Sequence, residues 1–103
     1  MSKTSFGDLI NSSTPVIMDF YADWCAPCRI QSPILEQLKA EMGDAVKVVK
    51  IDVDRNPAIA QQLQIMGIPT LMIFQNGKAV WRASGVQQLP VLKQQIGALT
   101  VAE

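Results

Sequence analysis

Val16 to Tyr21 is a nearly unbroken apolar run, rich in β-branched and aromatic residues, with Asp19 as its one interruption. That pattern predicts a strand covered on both faces. Before it, Phe6, Leu9 and Ile10 recur at helical spacing, with Ser5 or Thr4 available as a cap, and Pro15 ends the turn that follows. After it, Ile30, Ile34, Leu35, Leu38 and Met42 mark one face of a longer helix, with Pro27 at its first turn, Pro33 as an internal bend and Gly43 as its C-cap. Val46 to Val53 reads as a second strand, parallel to the first because a helix joins them.

The second half has a different rhythm. Asn56-Pro57 caps and opens a short helix through Ile59, Ala60 and Leu63, which Gly67-Ile68-Pro69 breaks. Thr70 to Gln75 and Lys78 to Arg82 flank Asn76-Gly77, the turn of an antiparallel hairpin. Leu89, Leu92, Ile96 and Leu99 line a closing helix with Pro90 in its first turn. A mixed sheet with helices on both faces follows from this order, in a single domain spanning residues 1–103.

Composition narrows what such a domain does. Nine basic residues balance nine acidic ones, so no net charge draws the chain to nucleic acid or to an anionic membrane. Histidine is absent, which removes Cys–His nucleophile pairs and histidine-containing zinc sites. Met1-Ser2-Lys3-Thr4 opens no secretory signal, and no apolar run is long enough to span a bilayer. The chain is therefore read as cytoplasmic, where thiols stay mostly reduced and a lone pair of them is catalytic more often than structural.

Both cysteines fall in Trp24-Cys25-Ala26-Pro27-Cys28, between the first strand and the long helix. A thiol pair at that spacing can close and reopen a small disulfide ring, passing two electrons to another molecule. At a helix start, Cys25 meets unpaired N–H groups and positive partial charge, which favour the thiolate, the attacking species. Cys28, one turn deeper, faces back to resolve the mixed disulfide that Cys25 forms with a substrate. Asp19 is the candidate buried acid/base, because burial raises a carboxyl pKa into the useful range; Lys50 on the neighbouring strand would moderate the shift by pairing with it. Three other readings of the cysteines stay open on the residues alone: a structural disulfide, half of an intermolecular metal site, and two inert buried thiols.

Taken together, Asp19-Phe20-Tyr21-Ala22-Asp23-Trp24-Cys25-Ala26-Pro27-Cys28, Pro33, Lys50-Ile51-Asp52-Val53-Asp54, Gly67-Ile68-Pro69-Thr70, Asn76-Gly77 and Gly85 resemble the thioredoxin family. The likeness runs from about Ser5 to the C-terminus. It implies a thioredoxin-like three-layer α/β/α sandwich and a reductase of disulfides in other proteins, with no bound cofactor or metal. A separate thioredoxin reductase would resupply the electrons. By the same resemblance Cys25 attacks, Cys28 resolves and Asp19 is the buried base. Trp24, Ala26, Pro27, Gly67, Ile68, Pro69, Gly85 and Val86 would line the substrate groove, and the peptide before Pro69 would be cis. Ile68 and Pro69 would offer backbone groups to an extended substrate chain.

The sequence departs from the family pattern twice. Ala26 stands where the family most often has glycine, and residues between the cysteines tune the redox potential. Met1 to Thr4 is short for the family's extra first strand, so a four-stranded sheet is expected, with the Val46–Val53 strand at its edge. Exposed edges invite pairing, so the expectation is a monomer with weak edge-strand self-association. The competing functions are a disulfide oxidase or isomerase, and a redox-inactive binding module that grips partners through Trp24, Ile68 and Val86.

Overall fold

The computed structural model of the protein describes residues 5–99. Its elements run α1 (Phe6–Ile10), β1 (Val16–Tyr21), α2 (Ala26–Met42), a 3-10 turn over Gly43–Ala45, β2 (Lys47–Asp52), α3 (Pro57–Gln62), β3 (Thr70–Gln75), β4 (Lys78–Ser84) and α4 (Leu89–Leu99). The four described strands form one mixed sheet in the order β2-β1-β3-β4. β1 pairs with β2 in parallel and with β3 antiparallel, so the strand leading to the cysteines has neighbours on both sides.

Side chains alternate along these strands and divide the core into two layers. On one face Ile17, Leu71 and Ile73 pack with Leu35 and Leu38 of α2 and Leu92 and Ile96 of α4. On the other, Met18, Phe20, Met72 and Phe74 pack with Ile10, and Phe6, Ile59 and Leu63 close that side. Asp19 has the parity of Ile17, so it faces the layer covered by α2, the helix that carries Cys28. The expected three-layer α/β/α sandwich is the observed fold, and its mixed sheet has four strands among the described residues. Met1–Thr4, where the resemblance sets an extra first strand, lies outside the described residues.

Local chemistry explains most boundaries. Ser5 caps α1, its hydroxyl accepting the Asp8 N–H at 3.1 Å. Gly43 ends α2 at φ 55°, the left-handed region that suits glycine. Asn76 and Gly77, at φ 54° and 82°, make the tight turn between β3 and β4.

Three sequence expectations need correction. Ile30 is not on the core face of α2: it is 58% exposed, and Gln31 is fully buried instead. The buried set is Cys28, Gln31, Leu35 and Leu38, a helical repeat anchored on the cysteine. α3 stops at Gln62, ahead of Gly67, because Gln64 turns to φ 55°. Asn56 precedes α3 but makes no side-chain cap; its amide donates to the Asp52 carbonyl at 3.0 Å.

Candidate active site

Cys25 closes the connection from β1 to α2. Its N–H donates to the Ala22 carbonyl at 3.1 Å, which folds Ala22-Asp23-Trp24 into a turn at the carboxyl end of the sheet. Its backbone is extended, at φ −90° and ψ 108°, and its sulfur occupies the N-cap position of α2, accepting the Cys28 N–H at 3.2 Å. A negatively charged sulfur gains most from that arrangement, because the helix start offers both donors and positive partial charge. Pro27 sits in the first helical turn, where no N–H is missed.

Cys25 and Cys28 are joined by a disulfide, so the structure shows the oxidised state of the pair. Both are buried, while Ala26 and Pro27 between them are exposed. The Ile68–Pro69 peptide is cis, as the resemblance implies. The Ile68 carbonyl oxygen lies 3.8 Å from Cys25 Sγ. In the disulfide this is a contact without a proton; in the reduced protein, a Cys25 thiol would find an acceptor already there.

Asp19 lies within β1, on the sheet face that α2 covers. It is fully buried, and neither carboxylate oxygen has a hydrogen-bond partner among the described residues. Burial, partly opposed by the positive charge of Lys50, pushes its pKa from 3.8 up to about 6. Lys50 is opposite Asp19 in the β1–β2 register, but its amine donates to Ser32 Oγ at 2.8 Å and lies 4.7 Å from the centre of the Tyr21 ring. The direct Asp19–Lys50 pairing expected from the sequence is not made; Lys50 acts on the carboxyl through its field alone. A cavity of about 180 Å³ lined by Tyr21, Ala22, Cys28, Arg29, Ser32 and Lys50 opens beside the deeper cysteine.

Around the sulfurs the other expected residues converge on one surface. Trp24 is 68% exposed, and its indole N–H donates to Asp54 Oδ2 at 2.8 Å, which steers the ring. Trp24, Gly67 and Ile68 border a cavity of about 360 Å³ together with Val53, Ile65 and Met66. Thr70 fixes this loop by donating its hydroxyl to the Gly67 carbonyl at 2.6 Å. On the other flank Gly85, at φ 85°, donates its N–H to the Pro69 carbonyl at 2.8 Å, and Val86 follows half-buried.

Sequence reasoning missed Ser32, Asp54, Met66 and Gln31. Ser32 and Met66 act across gaps in sequence and carry no motif. Asp54 stands out only as part of the Lys50–Asp54 segment, which does not reveal its bond to Trp24. Gln31 had a signal, since it lies three residues after Cys28 on the same helical face. Among the described residues, no three His, Cys, Asp or Glu side chains form a group suited to a metal ion. No described helix is long and apolar enough to cross a membrane.

The chain is similar to known proteins in sequence and in fold. The family model described as Thioredoxin matches residues 1–98. A thioredoxin-like protein of Synechocystis is 50% identical over 88 residues, covering 85% of this chain and 84% of its own. The bifunctional thioredoxin reductase/thioredoxin of Mycobacterium leprae is 42% identical over 82 residues, which is 80% of this chain and 18% of that longer one. Among solved structures, a mutant thioredoxin from Halobacterium salinarum superposes with a TM-score of 0.86 at 39% identity, covering 99% of this chain and 88% of that one. With a helix-capping Cys25–Cys28 disulfide beside a cis-proline in this fold, the chain belongs to the thioredoxin family and is a thiol–disulfide oxidoreductase.

Proposed function

We propose that the protein reduces disulfides in other proteins, with Cys25 as nucleophile, Cys28 as resolving thiol and Asp19 as the acceptor of the Cys28 proton. The observation that carries the assignment is the inequality of the two sulfurs: Cys25 Sγ sits at the helix start and accepts an N–H, while Cys28 lies one turn inside.

In the reduced protein, the Cys25 thiolate attacks one sulfur of a substrate disulfide. A Cys25–substrate disulfide forms, and the other substrate sulfur leaves as a thiolate that takes a proton from solvent. Cys28 then gives its proton to Asp19 and attacks Cys25 Sγ. The intramolecular disulfide forms and the second substrate thiolate departs. Two electrons move to the substrate, and the protein is left oxidised, its two cysteines joined.

Asp19 suits its part because it is buried, unpartnered among the described residues and raised to about pKa 6, close enough to neutrality to exchange a proton with a thiol. Lys50 tunes that carboxyl from the adjoining strand. Trp24, Ala26, Pro27, Gly67, Ile68, Pro69, Gly85 and Val86 form the groove for an extended segment of the target protein. A thioredoxin reductase returns the electrons in a reducing, cytoplasmic setting, and the Mycobacterium leprae relative, named for both activities, supports that pairing. The chain works as a monomer and carries no cofactor of its own. β2, paired on one side only among the described strands, is the edge through which weak self-association would occur.

Reduction of insulin by limiting dithiol tests the assignment. Wild type is expected to catalyse it, Cys25→Ser to be inactive, and Cys28→Ser to stall as a mixed disulfide on Cys25. Activity retained by Cys25→Ser, or a mixed disulfide trapped on Cys28 instead, would overturn these roles.

A further inference from the structure

Gln31 meets the backbone of Gln87 along both edges of its side-chain amide. The Gln87 N–H donates to Oε1 at 2.7 Å, and Nε2 donates to the Gln87 carbonyl at 3.0 Å. This reciprocal pairing is what a neighbouring strand would supply; here one fully buried side chain supplies it to a loop.

That loop is Gly85–Gln87. Its near end is tied to the cis-proline, Gly85 N–H donating to the Pro69 carbonyl at 2.8 Å. Its middle is braced by the Gln87 side chain, whose Nε2 donates to the Ser84 carbonyl at 3.1 Å and the Gly85 carbonyl at 3.2 Å. Its far end is held by Gln31, one helical turn beyond Cys28. The loop therefore hangs between the two elements that flank the disulfide, and each end is anchored through its backbone.

Packing alone does not account for an amide at this position. The buried neighbours on the same face of α2 are Leu35 and Leu38, and an apolar residue would fill the space without desolvating two polar groups. What the amide adds is a fixed position for Gln87, and through it for Val86 and Gly85.

We propose that Gln31 is a positioning residue for the recognition of protein disulfides, holding the Gly85–Gln87 backbone as a preformed wall beside Pro69. The inference rests on the reductase assignment and gives Gln31 a share in the choice of macromolecular substrates. A polypeptide flanking the target disulfide uses that wall, whereas a small disulfide needs little beyond the sulfurs. Pre-ordering the wall lowers the cost of binding the larger substrate.

The test compares wild type with Gln31→Met, which keeps the volume and removes both hydrogen bonds. Insulin and a small aromatic disulfide serve as the two substrates. KM for insulin is expected to rise about tenfold with kcat nearly unchanged, while reduction of the small disulfide stays within about twofold. Amide exchange at Gln87 should quicken in the same variant. Should Gln31→Met fail to fold, Gln31→Ser leaves room for water to satisfy Gln87 and carries the same comparison. An unchanged insulin KM, or equal losses on both substrates, would overturn the proposal and leave Gln31 a structural residue. Wild type inactive on both substrates would sink the reductase assignment itself, and this inference with it.

Discussion

Asp19 and Lys50 stand opposite each other across the β1–β2 pairing, yet the lysine amine bonds to Ser32 and the carboxyl bonds to no described residue. A closed ion pair would hold Asp19 ionised and remove it as a proton acceptor near neutrality. Tethered to Ser32 and laid over the Tyr21 ring, the ammonium lowers the cost of the buried charge without cancelling it. The carboxyl is left near pKa 6, able to take up a proton and release it again.

Asp19→Asn should stabilise the oxidised protein at pH 8 and leave it nearly unchanged at pH 4. The folded carboxyl titrates near 6 and the unfolded one near 3.8. Between those values the folded state holds a proton that the unfolded chain has released. Stability therefore falls as pH rises through that window and is level above it. The full shift corresponds to at most about 3 kcal/mol. Urea unfolding at the two pH values measures it, and a gain that does not depend on pH would refute burial of the charge as its cause. With Asp19 as the proposed acceptor of the Cys28 proton, turnover should move the other way, slowing by roughly 10²-fold.

Lys50→Met removes the charge that holds the Asp19 pKa down, so the carboxyl should titrate above about 6. The fall in stability with pH then extends to higher pH, and the variant is weaker than wild type at pH 8 but not at pH 4. Repeating the substitution in an Asp19→Asn background isolates the coupling. The pH-dependent part of the loss should vanish there; if it persists, Lys50 acts through something other than Asp19.

Asp54→Ala frees the Trp24 indole from its 2.8 Å hydrogen bond. Both side chains are exposed, so folding stability should change by no more than about 0.5 kcal/mol. KM for a protein disulfide should rise about two- to threefold, the scale of one weak exposed hydrogen bond. An unaltered KM would show that the ring keeps its place without Asp54.

The frame of the molecule is plain in the amino-acid order, and the reasons are local. A strand run, a helix opening on a cysteine and an Asn-Gly turn each state their conformation within a few residues. Even Asp19 declares itself, because a lone carboxylate in an apolar strand must either face water or be buried at a cost. Contacts between distant segments carry no such mark. Lys50 and Ser32 are far apart in the chain, and only the β1–β2 register and the position of α2 bring them together. Gln31 was obscured for another reason. Its apolar neighbour Ile30 fits a hydrophobic count better, but the helix is phased by Cys28, Leu35 and Leu38, and that phase turns Ile30 outward.

β1 is hydrogen-bonded along both edges, and the buried Asp19 carboxyl is built into its middle. A strand so placed opens only when much of the sheet opens with it, which makes its amides candidates for the slowest hydrogen exchange in the protein. The surroundings of Asp19 are thus held by two neighbouring strands at once, so its carboxyl keeps one buried setting for as long as the sheet stays closed.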